Sequence, residues 1–105
     1  MNNLTDKQIQ DIMTIVLSSG EARKHCENAL EYAKQKDIDN VKAELNHANE
    51  EITKAHVLHT QFIQAEARGE KIEYSILLAH AQDTMMVVDS EIRMSKKIID
   101  VWLHI

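Results

Sequence analysis

Between Ser75 and Val88 the chain reads SILLAHAQDTMMVV, and Asp83 is the only formal charge in it. Solvated helix faces are crowded with charges, and buried faces exclude them unless a partner is present. An imidazole, a carboxamide and a carboxylate at His80, Gln82 and Asp83 therefore need a chemical reason. Three residues apart on a helix, His80 and Asp83 share a side but not one spot. In the first or second turn of a helix an imidazole feels the positive end of the backbone dipoles. That field disfavours protonation, leaves a ring nitrogen usable as a nucleophile and suits an anionic group placed on it. Phosphoryl transfer through His80 fits this pattern; taken alone, the residue reads more simply as a core histidine. No Lys or Arg lies within one turn of His80. Positive charge at a transition state must then come from the helix dipole, another helix or a partner protein.

Asp83 has two readings, a solvated charge at a rim or a carboxylate on an apolar interface. In an oligomer, symmetry would copy it into the same place. Like charges there repel, and a cation or shared protons between them lower the cost.

Other groups offer less. His56 and His59 stand one turn apart, a spacing that can bind metal, but no third or fourth ligand accompanies them in sequence. His59 falls on an apolar stripe and reads more simply as a hydrogen-bonded interior or interface histidine. Glu44 and His47 make one E-x-x-H, whereas a di-iron bundle needs a second such pair and further Glu ligands. Cys26 is the single cysteine, so no internal disulfide forms, and it reads as a small buried hydrophobe in a reduced, cytoplasmic setting.

The elements that position these residues are helices. The 105 residues include no proline and two glycines, and helix formers dominate. Thr5 and Gln8 read as a capping box. Behind them Ile9, Ile12, Val16, Ser19, Arg23, Cys26, Leu30 and Ala33 step by three and four, widened by Met13, Ala22 and Ala29. Gly20 interrupts this helix, and a bend or break is expected near Ser18–Gly20. Asp37 caps a second helix from Ile38 to Arg68, with Val41, Leu45, Ala48, Ile52, Ala55, His59 and Phe62 on its stripe and Gly69 ending it. Glu70 to Tyr74 connect to a third helix, from Ser75 to the end. It carries two apolar rows. One is Ile76, Leu77, Ala81, Met85, Val88, Ile92, Ser95, Ile99 and Trp102. The other is Ile76, Ala79, Asp83, Val87, Ser90, Met94, Ile98 and Val101. The expected fold is all-α: one domain over 1–105, an antiparallel up-down-up three-helix bundle. The second row of helix three needs another partner, most simply further copies of the chain side by side.

A net charge of −5 without a basic patch argues against nucleic acid as a partner. No apolar run approaches the roughly 20 residues that span a bilayer. The start, MNNLTDKQ, lacks the basic and apolar regions of a signal peptide.

LLAHAQD at Leu77–Asp83, followed by Met86, resembles the lactose/cellobiose-specific IIA component of the phosphoenolpyruvate-dependent sugar phosphotransferase system. SSGEAR at Ser18–Arg23 resembles that family's G-x-A-R segment. Lys54–His56 with Thr60 resembles its A-H-x-x-Q-T stretch, and Glu66–Glu70 its acidic-Ala-x-Gly-Glu connection. The likeness covers nearly the whole chain. It implies a three-helix bundle assembling as a homotrimer, with His80 the phosphorylated histidine. The group would come from the histidine-containing phosphocarrier protein and pass to a cysteine of the IIB component, while the membrane IIC component moves a lactose-, cellobiose- or chitobiose-type sugar. Asp83 would lie on the three-fold axis, where three copies bind one divalent metal, usually Mg2+. Gln82, Thr84, His56 and His59 would support the site. At two of these positions the chain departs from the family: Thr84 stands where a second histidine is usual, and His59 where Gln is usual. A Thr84 hydroxyl can donate to a phosphate oxygen but does not titrate like imidazole. The competing reading is a non-catalytic trimeric interaction or regulatory module that kept the bundle.

Overall fold

The computed structural model describes residues 4–72 and 75–104. Positions 1–3, Glu73 and Tyr74 of the expected connection, and Ile105 lie outside the described residues. Three helices follow one another: α1 (Asp6–Lys34), α2 (Ile38–Ala67) and α3 (Ile76–Leu103). All three pairs of helices touch, and no strand occurs among the described residues.

Local chemistry sets each boundary. The Thr5 side chain accepts from the Gln8 N–H at 3.0 Å, and the Gln8 side chain accepts from the Thr5 N–H at 2.9 Å, closing the capping box that starts α1. At the other end Lys36 takes a left-handed φ of 58°. Its N–H donates to the Ala33 carbonyl, and that of Asp37 to Tyr32. This is the double hydrogen bond that closes a helix on a left-handed residue, here at a position that favours glycine. Asp37 then caps α2, accepting from the Asn40 N–H at 3.3 Å. The same closure recurs after α2 with the expected residue: Gly69 at φ 90° donates to Glu66, and Glu70 donates to Ala65.

The chain reverses direction twice. Arg23 of α1 pairs with Glu91 of α3, and Lys36 reaches the Trp102 carbonyl, so α1 and α3 run in parallel. His25 pairs with Glu44 early in α2, so α2 runs against them. The result is the expected up-down-up bundle, 56 Å long and about 20 Å across.

Two expectations fail in α1. The helix passes through Ser18–Gly20 without a break. Gly20 is exposed, with open space where a Cβ would stand, so no close helix approach explains it within one chain. The buried face is also rotated. Ile12, Ile15, Ser18, Ser19, Ala22, Cys26, Ala29 and Ala33 are buried, while Ile9 and Met13 are exposed and Val16, Arg23 and Leu30 lie on the flank. Packing against two helices at once centres the face on Ile15 and Ala22, where small residues let the neighbours approach.

α2 buries Val41, Ala48, Ile52, Ala55 and Phe62 as expected, with Leu45 and His59 half-buried. In α3 the inner row is Leu78, Ala81, Met85, Val88, Ile92, Ser95 and Ile99. Leu78 rather than Ile76 opens it; Ile76 is 78% exposed. The second row stays outside: Val87, Met94, Ile98 and Val101 all face solvent, Met94 and Val101 at 58% exposure each.

Candidate functional site

Ser75 starts α3, its hydroxyl accepting from the Leu78 N–H at 2.9 Å. His80 follows five residues later, in the second turn, and is exposed. Among the described residues it makes no side-chain hydrogen bond and no ion pair. Both ring nitrogens are thus open to an incoming group, within reach of the positive end of the α3 dipole. The structure excludes the core-histidine reading.

Asp83 is exposed too, one turn further on. Among the described residues no cation pairs with it. It stands on the outer row with Ile76 and Val87, so its carboxylate lies on an apolar strip and not in the charged surface elsewhere. Thr84, one turn after His80, is half-buried.

Gln82 is turned away. Two residues separate it from His80, about 200° around the axis. It lines a groove of about 280 Å³ between the end of α2 and the start of α3, with Phe62, Glu66 and Ser75. His56 is also placed apart. Its Nε2 lies 3.6 Å from Asp89, and Arg93 holds the other oxygen of that carboxylate at 3.0 Å. Asp89 is nine residues beyond His80, about 13–14 Å along the helix. His59 is half-buried on the core side of α2, and burial, with the charge of His56 added, pushes its pKa down. The structure therefore brings His80, Asp83 and Thr84 onto one side of α3 and leaves Gln82, His56 and His59 on the α2 side.

Two features escaped sequence reasoning. By its spacing Arg23 falls on the apolar stripe of α1, yet it forms a two-pronged pair with Glu91, Nε to Oε1 at 2.8 Å and Nη2 to Oε2 at 3.2 Å. This cation from α1 meets α3 about 16 Å past His80 and is engaged there. The second is His25, which joins Glu44 across the α1–α2 seam at 2.6 Å. A charge inside an otherwise apolar stripe was the available signal for Arg23; His25 left none.

With this geometry in place, comparison with known proteins is informative. Residues 10–103 match the model of the family described as PTS system, Lactose/Cellobiose specific IIA subunit. The chain is 35% identical over 99 residues to the lichenan-specific phosphotransferase enzyme IIA component of Bacillus subtilis, covering 94% of this chain and 90% of that one. It is 32% identical over 92 residues to the N,N'-diacetylchitobiose-specific EIIA component of Escherichia coli K12, covering 82% and 79%. Among solved structures, the PTS cellobiose-specific enzyme IIA from Bacillus anthracis superposes with a TM-score of 0.86 at 37% identity, over 95% of this chain and 91% of that one.

Proposed function

The chain belongs to the lactose/cellobiose-specific IIA family of the sugar phosphotransferase system, and on that premise we propose that His80 is the residue that carries its phosphoryl group. The family membership makes the chain a phosphotransferase-system component, a phosphoryl carrier in sugar uptake. The observation that supports His80 for the role is its state: exposed, unpaired among the described residues, and in the second turn of a capped helix.

Transfer runs in line. The lone pair on the Nε2 of neutral His80, the ring nitrogen furthest from the helix, attacks the phosphorus of a phosphohistidine on the histidine-containing phosphocarrier protein. The donor's P–N bond breaks, and its electron pair returns to the donor imidazole. In the second step a thiolate of the IIB component attacks the same phosphorus, and the His80 imidazole leaves. Three equatorial oxygens carry charge in each step, so positioning and nearby dipoles provide most of the catalysis. No cation of this chain is seen against His80 among the described residues, so the partners' surfaces must complete the electrostatics. The Thr84 hydroxyl, one turn on, can donate to a phosphate oxygen.

The working form is a homotrimer. Its support is the outer row of α3, where Val87, Met94, Ile98 and Val101 stand exposed beside Asp83. Three copies packed on that row would bring three unpaired carboxylates together. Hard oxygen ligands of this kind suit Mg2+, with water completing the shell. The ion would neutralise charge on the axis. The relatives named for lichenan, cellobiose and diacetylchitobiose point to a β-linked saccharide as the sugar served. The sugar itself is handled by the membrane IIC component.

Incubation with phosphoenolpyruvate and the two general phosphotransferase proteins, read by intact mass, tests the reading. Wild type gains one phosphoryl group and His80→Ala gains none. Equal labelling of the two proteins would remove His80 from the role and favour the non-catalytic module.

A further inference from the structure

The E-x-x-H pair of α2, Glu44 and His47, plays no part in phosphoryl transfer, and the fold gives it an unexpected companion. Across the α1–α2 seam the His25 Nδ1 lies 2.6 Å from Glu44 Oε2, and the Asn28 amide donates to Glu44 Oε1 at 3.1 Å. An ionised carboxylate only accepts, so His25 donates through Nδ1, and in the neutral imidazole the lone pair then sits on Nε2. His47 repeats the arrangement more loosely, its Nδ1 lying 3.4 Å from Glu50. The His25 and His47 rings stand beside each other, with centroids 5.0 Å apart and planes tilted by 35°.

We propose that His25 and His47 form a site for a borderline divalent transition metal, of the zinc or nickel class, that bridges α1 and α2. Three observations converge on this. Two imidazoles from different helices are paired on one seam. His25 backs its Nδ1 onto a carboxylate, the orientation in which metal-binding histidines are typically held, and His47 has the Glu50 carboxylate 3.4 Å from its own Nδ1. Two imidazoles bound through Nε2 to one ion, at metal–nitrogen distances near 2.1 Å, have centroids about 4.6–5.3 Å apart, and the observed spacing falls inside that interval. Among the described residues no set of three His, Cys, Asp or Glu side chains is arranged to hold a metal ion, so water fills the remaining positions. The affinity is then moderate, and the role is to fasten two helices. This site is independent of His80 and of the Asp83 carboxylates.

Zinc chloride added to chelator-stripped protein tests it, in an Asp83→Asn background that sets the axial carboxylates aside. Binding is followed by the histidine ring signals in NMR and by the thermal midpoint. Near neutral pH we expect saturable binding at micromolar zinc, one ion per chain, with the His25 and His47 rings shifted and the midpoint raised. Both effects are reversed by adding a chelator in excess. His47 is 58% exposed at its side chain, so His47→Ala leaves the bundle folded. It and His25→Ala each weaken zinc by about ten-fold or more. Unchanged affinity in either variant, or no movement of the two rings at millimolar zinc, overturns the proposal.

Discussion

At the scale of single residues, position on the helix decides what each histidine can do. His80 and His59 are both imidazoles in apolar sequence, yet one is exposed and unpaired and the other is half-buried with a depressed pKa. Because folded His59 binds protons less readily than the unfolded chain, its effect on stability has a definite sign. Stability falls as pH drops through the ordinary histidine value of 6.5 toward the lower folded value, then levels. Glu44 adds a second window. Its folded pKa is also lowered, so its contribution is present above 4.5 and is lost as pH falls through the folded value. Urea unfolding from pH 8 to pH 3 should show both steps; His59→Gln removes the upper and Glu44→Gln the lower. A flat profile between pH 7 and 5 in wild type would contradict the His59 assignment. Much of this level was legible beforehand. The charge-poor run singles out His80 and Asp83, but Gln82, expected beside the site, lines the α2–α3 groove instead, as the 100° helical step requires. The cross-helix pairs Arg23–Glu91 and His25–Glu44 were not legible, because they depend on how far each helix is rotated about its own axis.

At the scale of elements, caps and turns fix where each helix begins and ends. The Thr5 box, the Asp37 cap and the Gly69 closure were all readable, since each uses a residue type that the backbone geometry selects. Lys36 was not, because lysine carries no preference for its left-handed φ of 58°. Lys36→Gly relieves that conformation and gives up one exposed bond to the Trp102 carbonyl. We expect a net gain of about 0.5–1 kcal/mol in urea unfolding. At Gly20, where a bend or break is expected from sequence, no break occurs: a helix long enough to pack on two neighbours absorbs the roughly 1 kcal/mol cost of one glycine. With open space at its Cβ position, Gly20→Ala should stabilise the isolated chain by up to about 1 kcal/mol. Destabilisation instead would mean that a second copy packs closely against that point.

For the whole molecule, the outer row of α3 is the one apolar face that the bundle leaves uncovered among the described residues of that helix. Periodicity revealed two apolar faces on one helix, and the fold covers one of them. The rotation of α1 was not recoverable in the same way, since Ile9 and Val16 match a helical stripe as well as Ile15 does. The account expects the exposed row to be an interface. Met94→Glu places a charge in its middle and should yield folded, helical monomers by sedimentation and circular dichroism. If the proposed trimer forms on this row, Asp83→Leu should keep it and raise its thermal midpoint, because three like charges that assembly would bury give way to apolar contact, a change worth about 1–4 kcal/mol in comparable cases. Dissociation of Asp83→Leu into monomers would show that the carboxylates and their ion are needed for assembly.

The central claim is that one imidazole out of six, His80, receives and gives up the phosphoryl group. Its most direct test is the set of histidine ring spectra of 15N-labelled protein, recorded before phosphorylation, after it, and again once the IIB component is added. The His80 Nε2 signal alone should show phosphorus coupling, and adding IIB should restore the free imidazole. Coupling at His56, His59 or any other ring, or none at His80, would contradict it.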